Sequence, residues 1–150
     1  MTVLIKNTQG LLKLDRRRLR RIAEELLAYS GLQGRDLSIL LTDNKGIARL
    51  NKKCFGRDKA TNVISFSYLD GFPNESVGDI IISVEQAKIE ADKAAIPFYA
   101  RLCALMVHGL VHILGYDHER GGKEARRMKY RERKLTDHVA QLEAYKEIGL

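Results

Sequence analysis

Two prolines in 150 residues, glycines without a fixed period and no low-complexity stretch exclude collagen-like and proline-rich architectures. Cys54 and Cys103 are too few for a disulfide framework, and neither belongs to a C-x-x-C pair. Both read as reduced packing residues. No apolar run approaches the roughly 18–20 residues of a membrane span. The segment from Met1 to Gly10 lacks the apolar core of a secretory signal, so the expected location is cytoplasmic. What is present is ordinary for a globular protein: 45% hydrophobic and 30% charged residues, in a length that suits one domain spanning 1–150.

The net charge is +7, and its distribution is uneven. Lys13 to Arg21 holds six basic residues and one acid, and His118 to Lys134 holds eight basic residues and three acids. Each run nets +5, on a remainder that is slightly acidic. Two concentrated basic runs suggest a polyanion partner, although such runs also occur as plain solvated helix faces. Tyr130 is the one aromatic residue within them, which does not by itself make a stacking platform for bases.

Periodicity predicts a strand at Val3-Leu4-Ile5, a helix over Leu14–Tyr29 started by Asp15, and a buried strand at Leu37–Leu41. Thr42-Asp43-Asn44 offers a cap for a short helix running toward Cys54. Phe55 to Asp58 reads as a loop, Asn62–Tyr68 as a strand, and Asp70 to Asn74 as turn chemistry. Asp79–Ser83 is a further strand, after which Ser83 caps a helix to about Ala95 with Gln86 in the capping-box position. Pro97 opens the next helix, Gly115 stops it, and one last helix is expected from Lys123 to about Ile148. The order implies an α+β domain with a small mixed sheet of about four strands packed with helices.

Three of the four histidines fall in eleven residues: His108, His112 and His118. On a helix, His108 and His112 leave the same face one turn apart, which is the geometry for two nitrogen ligands on one metal ion. Gly115 permits the chain to turn back, so His118 can supply a third nitrogen. These positions reproduce the histidines and glycine of the metzincin pattern H-E-x-x-H-x-x-G-x-x-H, so this helix resembles the metal-binding helix of metzincin-type hydrolases. Three nitrogens with an open position form a catalytic arrangement. Zinc suits imidazole best, with nickel, copper and iron also compatible with the ligand type. His138 stands alone on the last helix and reads as structural.

Gly109 occupies the place of the metzincin glutamate, the general base for peptide hydrolysis. A metal-bound water remains a nucleophile near neutral pH without it. Phosphodiester cleavage fits this set, since a metal can polarise a phosphoryl oxygen and a cationic side chain can stabilise developing charge. Asp117 reads as an orienter of a histidine, or as turn chemistry with Tyr116, ahead of a direct acid/base role.

The stretch from His108-Gly109 through His112, with Gly115-Tyr116-Asp117-His118, resembles the signature of the YbeY family of bacterial metallo-endoribonucleases. Two further segments match. Asp58 through Thr61-Asn62-Val63 to Ser65-Phe66 is similar to the family's D-x-x-T-[DN]-V-L-S-F, and Gly78-Asp79-Ile80-Ile81-Ile82 to its G-D-[IL]-x-I strand. The resemblance implies one zinc ion per chain at His108, His112 and His118. It implies cleavage of single-stranded RNA, maturation of the 3′ end of small-subunit (16S) ribosomal RNA, and ribosome quality control, with ribosomal RNA and the ribosome or its small subunit as partners. It also implies an arginine ahead of the D-x-x-T segment, where this chain instead has Cys54-Phe55. Arg57 is the nearest arginine and the candidate to stabilise the phosphoryl transition state, while Asn62 and Ser65 are candidates to hydrogen-bond substrate on a strand lining the cleft.

Two rival functions remain open at this level. One is a metzincin-like metal-dependent peptidase or amidase; Gly109 argues against it, and peptidase activity gained on Gly109→Glu would show that the scaffold needs only that base. The other is a non-catalytic ribosome-associated factor with structural zinc.

Overall fold

A computed structural model describes residues 3–69, 76–116 and 122–148. In chain order the elements are β1 (Val3–Asn7), α1 (Arg16–Tyr29), β2 (Asp36–Thr42), α2 (Asn44–Phe55), β3 (Val63–Ser67) and β4 (Ser76–Ser83). They continue with α3 (Val84–Ala94), α4 (Phe98–Ile113), α5 (Gly122–Gln141) and α6 (Glu143–Ile148). The expected α+β class holds.

The sheet order is β1-β2-β4-β3. β1, β2 and β4 run parallel, and β3 pairs antiparallel to β4 as an edge strand. Alternation divides the strands between two apolar layers. Leu37, Ile39 and Leu41 of β2, with Ile80 and Ile82 of β4, point into the main core built by α1, α4 and α5. Ile64 and Ile81 point to the other face, where Ile47 of α2 covers them. α4 lies centrally in the larger layer, with Leu102, Leu105, Met106, Leu110, Val111 and Ile113 buried.

The caps form where the sequence places them. The Asp15 side chain accepts from the Arg18 N–H at 3.1 Å, and Asp43 from the Gly46 N–H at 2.8 Å. Ser83 Oγ accepts from the Gln86 N–H at 3.1 Å. The reciprocal half of that capping box is absent. The Ser83 N–H goes to the Asn62 carbonyl instead, and the Gln86 amide reaches Glu90. Tertiary pairing with the start of β3 outcompetes the local motif.

Two other expectations are corrected. The single last helix is two, broken at Leu142. The break lets α6 pack on α1, where Arg18 pairs with Glu147 and Leu142, Tyr145 and Ile148 add to the core. Cys103 is a packing residue, its thiol pushed up to about 12 by burial, but Cys54 is exposed. Both cysteines are free. The expected turn from Asp70 to Asn74 lies outside the described residues. His138 is structural, stacked on Tyr29 with ring centroids 4.1 Å apart. Among the described residues no single helix is long and apolar enough to cross a membrane.

Candidate metal centre

α4 packs at once against the sheet, α3 and α5. Gly109 faces the sheet. A Cβ there would stand 2.8 Å from Ile80 Cγ2, closer than real side chains approach. Ile80 is β-branched and fully buried, so it has little freedom to yield. Glycine at 109 lets the helix lie flush on β4. A glutamate at this position would enter the core, so Gly109→Glu cannot restore a general base beside the histidines.

One residue back, and one turn forward, the helix turns to α5. His108 and His112 come together with their Nε2 atoms 3.2 Å apart and their rings edge to face. Glu132 of α5 lies 2.7 Å from His108 Nδ1. An ionised carboxylate can only accept, so the proton of that contact sits on Nδ1 and Nε2 is the nitrogen turned toward His112. The donor set fits a metal. Zinc–nitrogen bonds of about 2.0–2.1 Å at a tetrahedral angle place two ligand nitrogens roughly 3.3 Å apart. A carboxylate behind a ligating histidine is the usual way its orientation and basicity are fixed.

Among the described residues no third His, Cys, Asp or Glu joins this pair in a metal-holding group. His118 and Asp117 lie outside the described residues. Gly115 ends the helix in the left-handed region, at φ 97°, and its N–H caps the His112 carbonyl at 3.0 Å. The chain is thus released from the helix three residues after the second histidine, as the spacing requires.

The other candidates scatter. β3 is the edge strand on which Ser65 stands, opposite Ile80 in the register. The neighbouring Ser67 hydroxyl donates to the Ile113 carbonyl at 2.8 Å and ties this strand to the histidine helix. Asn62 turns elsewhere, its amide 3.4 Å from both carboxylate oxygens of Glu90. Glu90 is also bonded by Arg101 of α4 at 2.7 Å. Burial works to raise the Glu90 pKa, but the bonds from Arg101, Gln86 and Asn62 outweigh it and hold the carboxyl below its usual range.

Arg57 is exposed on the loop after α2, next to the left-handed Gly56 cap. Asn51, itself buried, pins this loop: its side-chain amide donates to the Lys59 carbonyl at 3.0 Å, and its backbone carbonyl accepts from the Arg57 N–H at 3.4 Å. Phe55 is half exposed and stacks on Phe66, ring centroids 5.7 Å apart and nearly parallel.

Comparison with known proteins decides the family. The model for Endoribonuclease YbeY matches residues 4–140. The chain belongs to the Endoribonuclease YbeY family. Its relatives include an Endoribonuclease YbeY of Geobacter sulfurreducens, 44% identical over 140 residues that cover 90% of this chain and 93% of the relative. Another, from Geobacter metallireducens, is 41% identical with the same coverage. The solution structure of a Thermotoga maritima protein has the same fold, with a TM-score of 0.64 at 23% identity, covering 96% of this chain and 91% of that one. Within this YbeY domain, Glu132 is the site residue that sequence reasoning missed. It sits in a basic run on a different helix, 24 residues from His108. The signal available was helical phase, since Glu132 shares the buried side of α5 with Met128, Leu135 and Val139.

Proposed function

We propose that this YbeY-family chain is a metal-dependent endoribonuclease that cuts single-stranded RNA, with zinc held by His108, His112 and His118. Family membership supports the endoribonuclease activity. The observation that carries the metal is the convergence of two Nε2 atoms at 3.2 Å, one of them backed by Glu132. When bound, zinc supplies a water acidified toward neutral pH and a Lewis acid for a phosphoryl oxygen.

The chain's own residues do the rest. Glu132 keeps the His108 proton on Nδ1 and the ring in place. α4, flush on the sheet through Gly109, fixes the spacing of both imidazoles. β3 forms the sheet edge beside this helix, where Ser65 would hydrogen-bond the RNA backbone. Asn62 would have to leave Glu90 to do the same. Arg57, on its pinned loop, would meet the scissile phosphate and spread its developing charge. The biological target we propose is ribosomal RNA, at the 3′ end of the 16S molecule on the small subunit, in cytoplasmic ribosome maturation and quality control. The closed sheet side of α4 disfavours the peptidase reading.

The test is paired. Zinc is measured by elemental analysis, and single- and double-stranded RNA are incubated with the protein and with His112→Ala. The expected result is one zinc per chain and single-strand cleavage that falls about 1,000-fold or more in the variant. Cleavage equal in both proteins overturns the metal assignment.

A further inference from the structure

Tyr130, which the sequence leaves as an isolated aromatic in a charge run, belongs to a built surface. Tyr116, Lys123, Arg126, Arg127 and Tyr130 line an open depression of about 560 Å³. The four α5 residues follow one stripe: at about 100° per residue, 123, 126, 127 and 130 fall within an arc of roughly 100°. Lys134 continues it, with its Nζ 5.6 Å from the Tyr130 ring centroid. Tyr130 is 53% exposed. The acid beside the stripe is Glu124, which approaches Arg127 at 3.5 Å. Tyr116 joins the depression to the metal centre along the chain, since it follows Gly115 at the end of the histidine helix.

We propose that this depression is a subsite for unpaired nucleotides of the RNA substrate, with bases stacked on Tyr130 and Tyr116 and phosphates held by Lys123, Arg126 and Arg127. Cations beside the exposed ring of Tyr130 and the half-buried Tyr116 are what a single strand needs: its bases offer free π-faces, whereas those of a duplex are already stacked. A membrane surface fits less well, because the apolar residues of α5, Met128, Leu135 and Val139, are buried in the core. This subsite rests on the endoribonuclease reading and extends it to a second element.

The probe is a fluorescein-labelled ten-nucleotide single-stranded RNA, titrated in the His112→Ala background so that it stays intact. Its comparison arms are the same RNA as a duplex, an abasic strand of equal length, and phosphatidylglycerol vesicles. Tyr130→Ala should weaken single-strand binding about 5- to 100-fold and Tyr130→Phe far less, with duplex and abasic binding unmoved. Lys123→Ala with Arg126→Ala should lower the slope of log affinity against log salt by about 1.4. Tyr130 is exposed, so its variants should melt with the parent, and a melting measurement checks this. Single-strand affinity unchanged in Tyr130→Ala overturns the subsite, as does an equal loss for duplex and abasic strands. Vesicle binding that depends on these cations while RNA binding does not would assign the surface to membranes instead. RNA cleavage by the parent with no effect of any α5 variant removes the subsite alone. Failure of the parent to bind or cut RNA removes the endoribonuclease reading with it.

Discussion

The two sides of α4 make opposite demands, although their residues interleave along one helix. Toward the sheet the requirement is absence: at Gly109 even a methyl group would press on Ile80. Toward α5 the requirement is polar, with His108 and His112 converging in reach of Glu132. Neighbours in sequence thus stand about 100° apart and obey opposite rules. The comparison explains why this hydrolase-like motif carries glycine where peptidases carry glutamate. The position next to the first histidine belongs to the core, and closeness to the sheet is what holds the histidine side still.

The largest expected effect is on the sheet side. Gly109→Glu should cost about 4 kcal/mol or more, from overpacking together with a buried unpaired carboxylate, and gain no peptidase activity. Gly109→Ala should cost about 1–3 kcal/mol. Urea titrations measure both, and a stable Gly109→Glu protein would break the comparison. The histidine side should respond in the opposite way. In chelator, His112→Ala should lie within about 1 kcal/mol of the parent in stability, and without chelator it should lose the parent's cleavage; a larger loss of stability would give the pair a packing role instead of the proposed metal role. Next in size, Glu132→Ala should weaken zinc affinity about 10- to 100-fold in a competition assay with a chromophoric chelator, and Glu132→Gln should recover part of the loss. Unaltered zinc affinity in Glu132→Ala would mean that α5 merely abuts the site.

The smallest effect concerns the contact of α4 with α3. Glu90 has a lowered pKa in the folded chain, so its contribution is present at neutral pH and is lost as pH falls from the ordinary carboxylate range through the lowered value. Glu90→Gln should therefore lower stability at neutral pH by about 1 kcal/mol or less, since the pair is partly exposed, and flatten the acid limb of the stability curve. An unchanged acid limb would show that Arg101 is held by other means.

What could be read from sequence was whatever depends on nearby residues. Caps at Asp15, Asp43 and Ser83, the alternation of β3, and the four-residue spacing of His108 and His112 are local patterns, and they hold. Glu132 was hidden because its partner is on another helix. The break at Leu142 was hidden because it is imposed by docking on α1, not by a helix-breaking residue. Asn62 looked available because its tie to Glu90 spans 28 residues. The two basic runs, equal in charge, were indistinguishable without the fold. In the first, Arg18 is spent on Asp15 and Glu147 while Lys13, Arg16 and Arg17 line an open depression with Tyr99, whose hydroxyl accepts from the Asp15 N–H; the second lines a depression of similar size that holds the exposed ring of Tyr130.

The docking of α6 on α1 also sets an order of events during synthesis. α1 is made early, yet part of its packing surface arrives only with residues 143–148, and α5 must first contribute Met128, Leu135 and Val139 to the same core. A nascent chain that has exposed the histidine helix but not α5 and α6 therefore has its two imidazoles without the carboxylate behind them and without a closed core. Closing the core and placing Glu132 behind His108 thus both wait on the segments that follow the histidine helix.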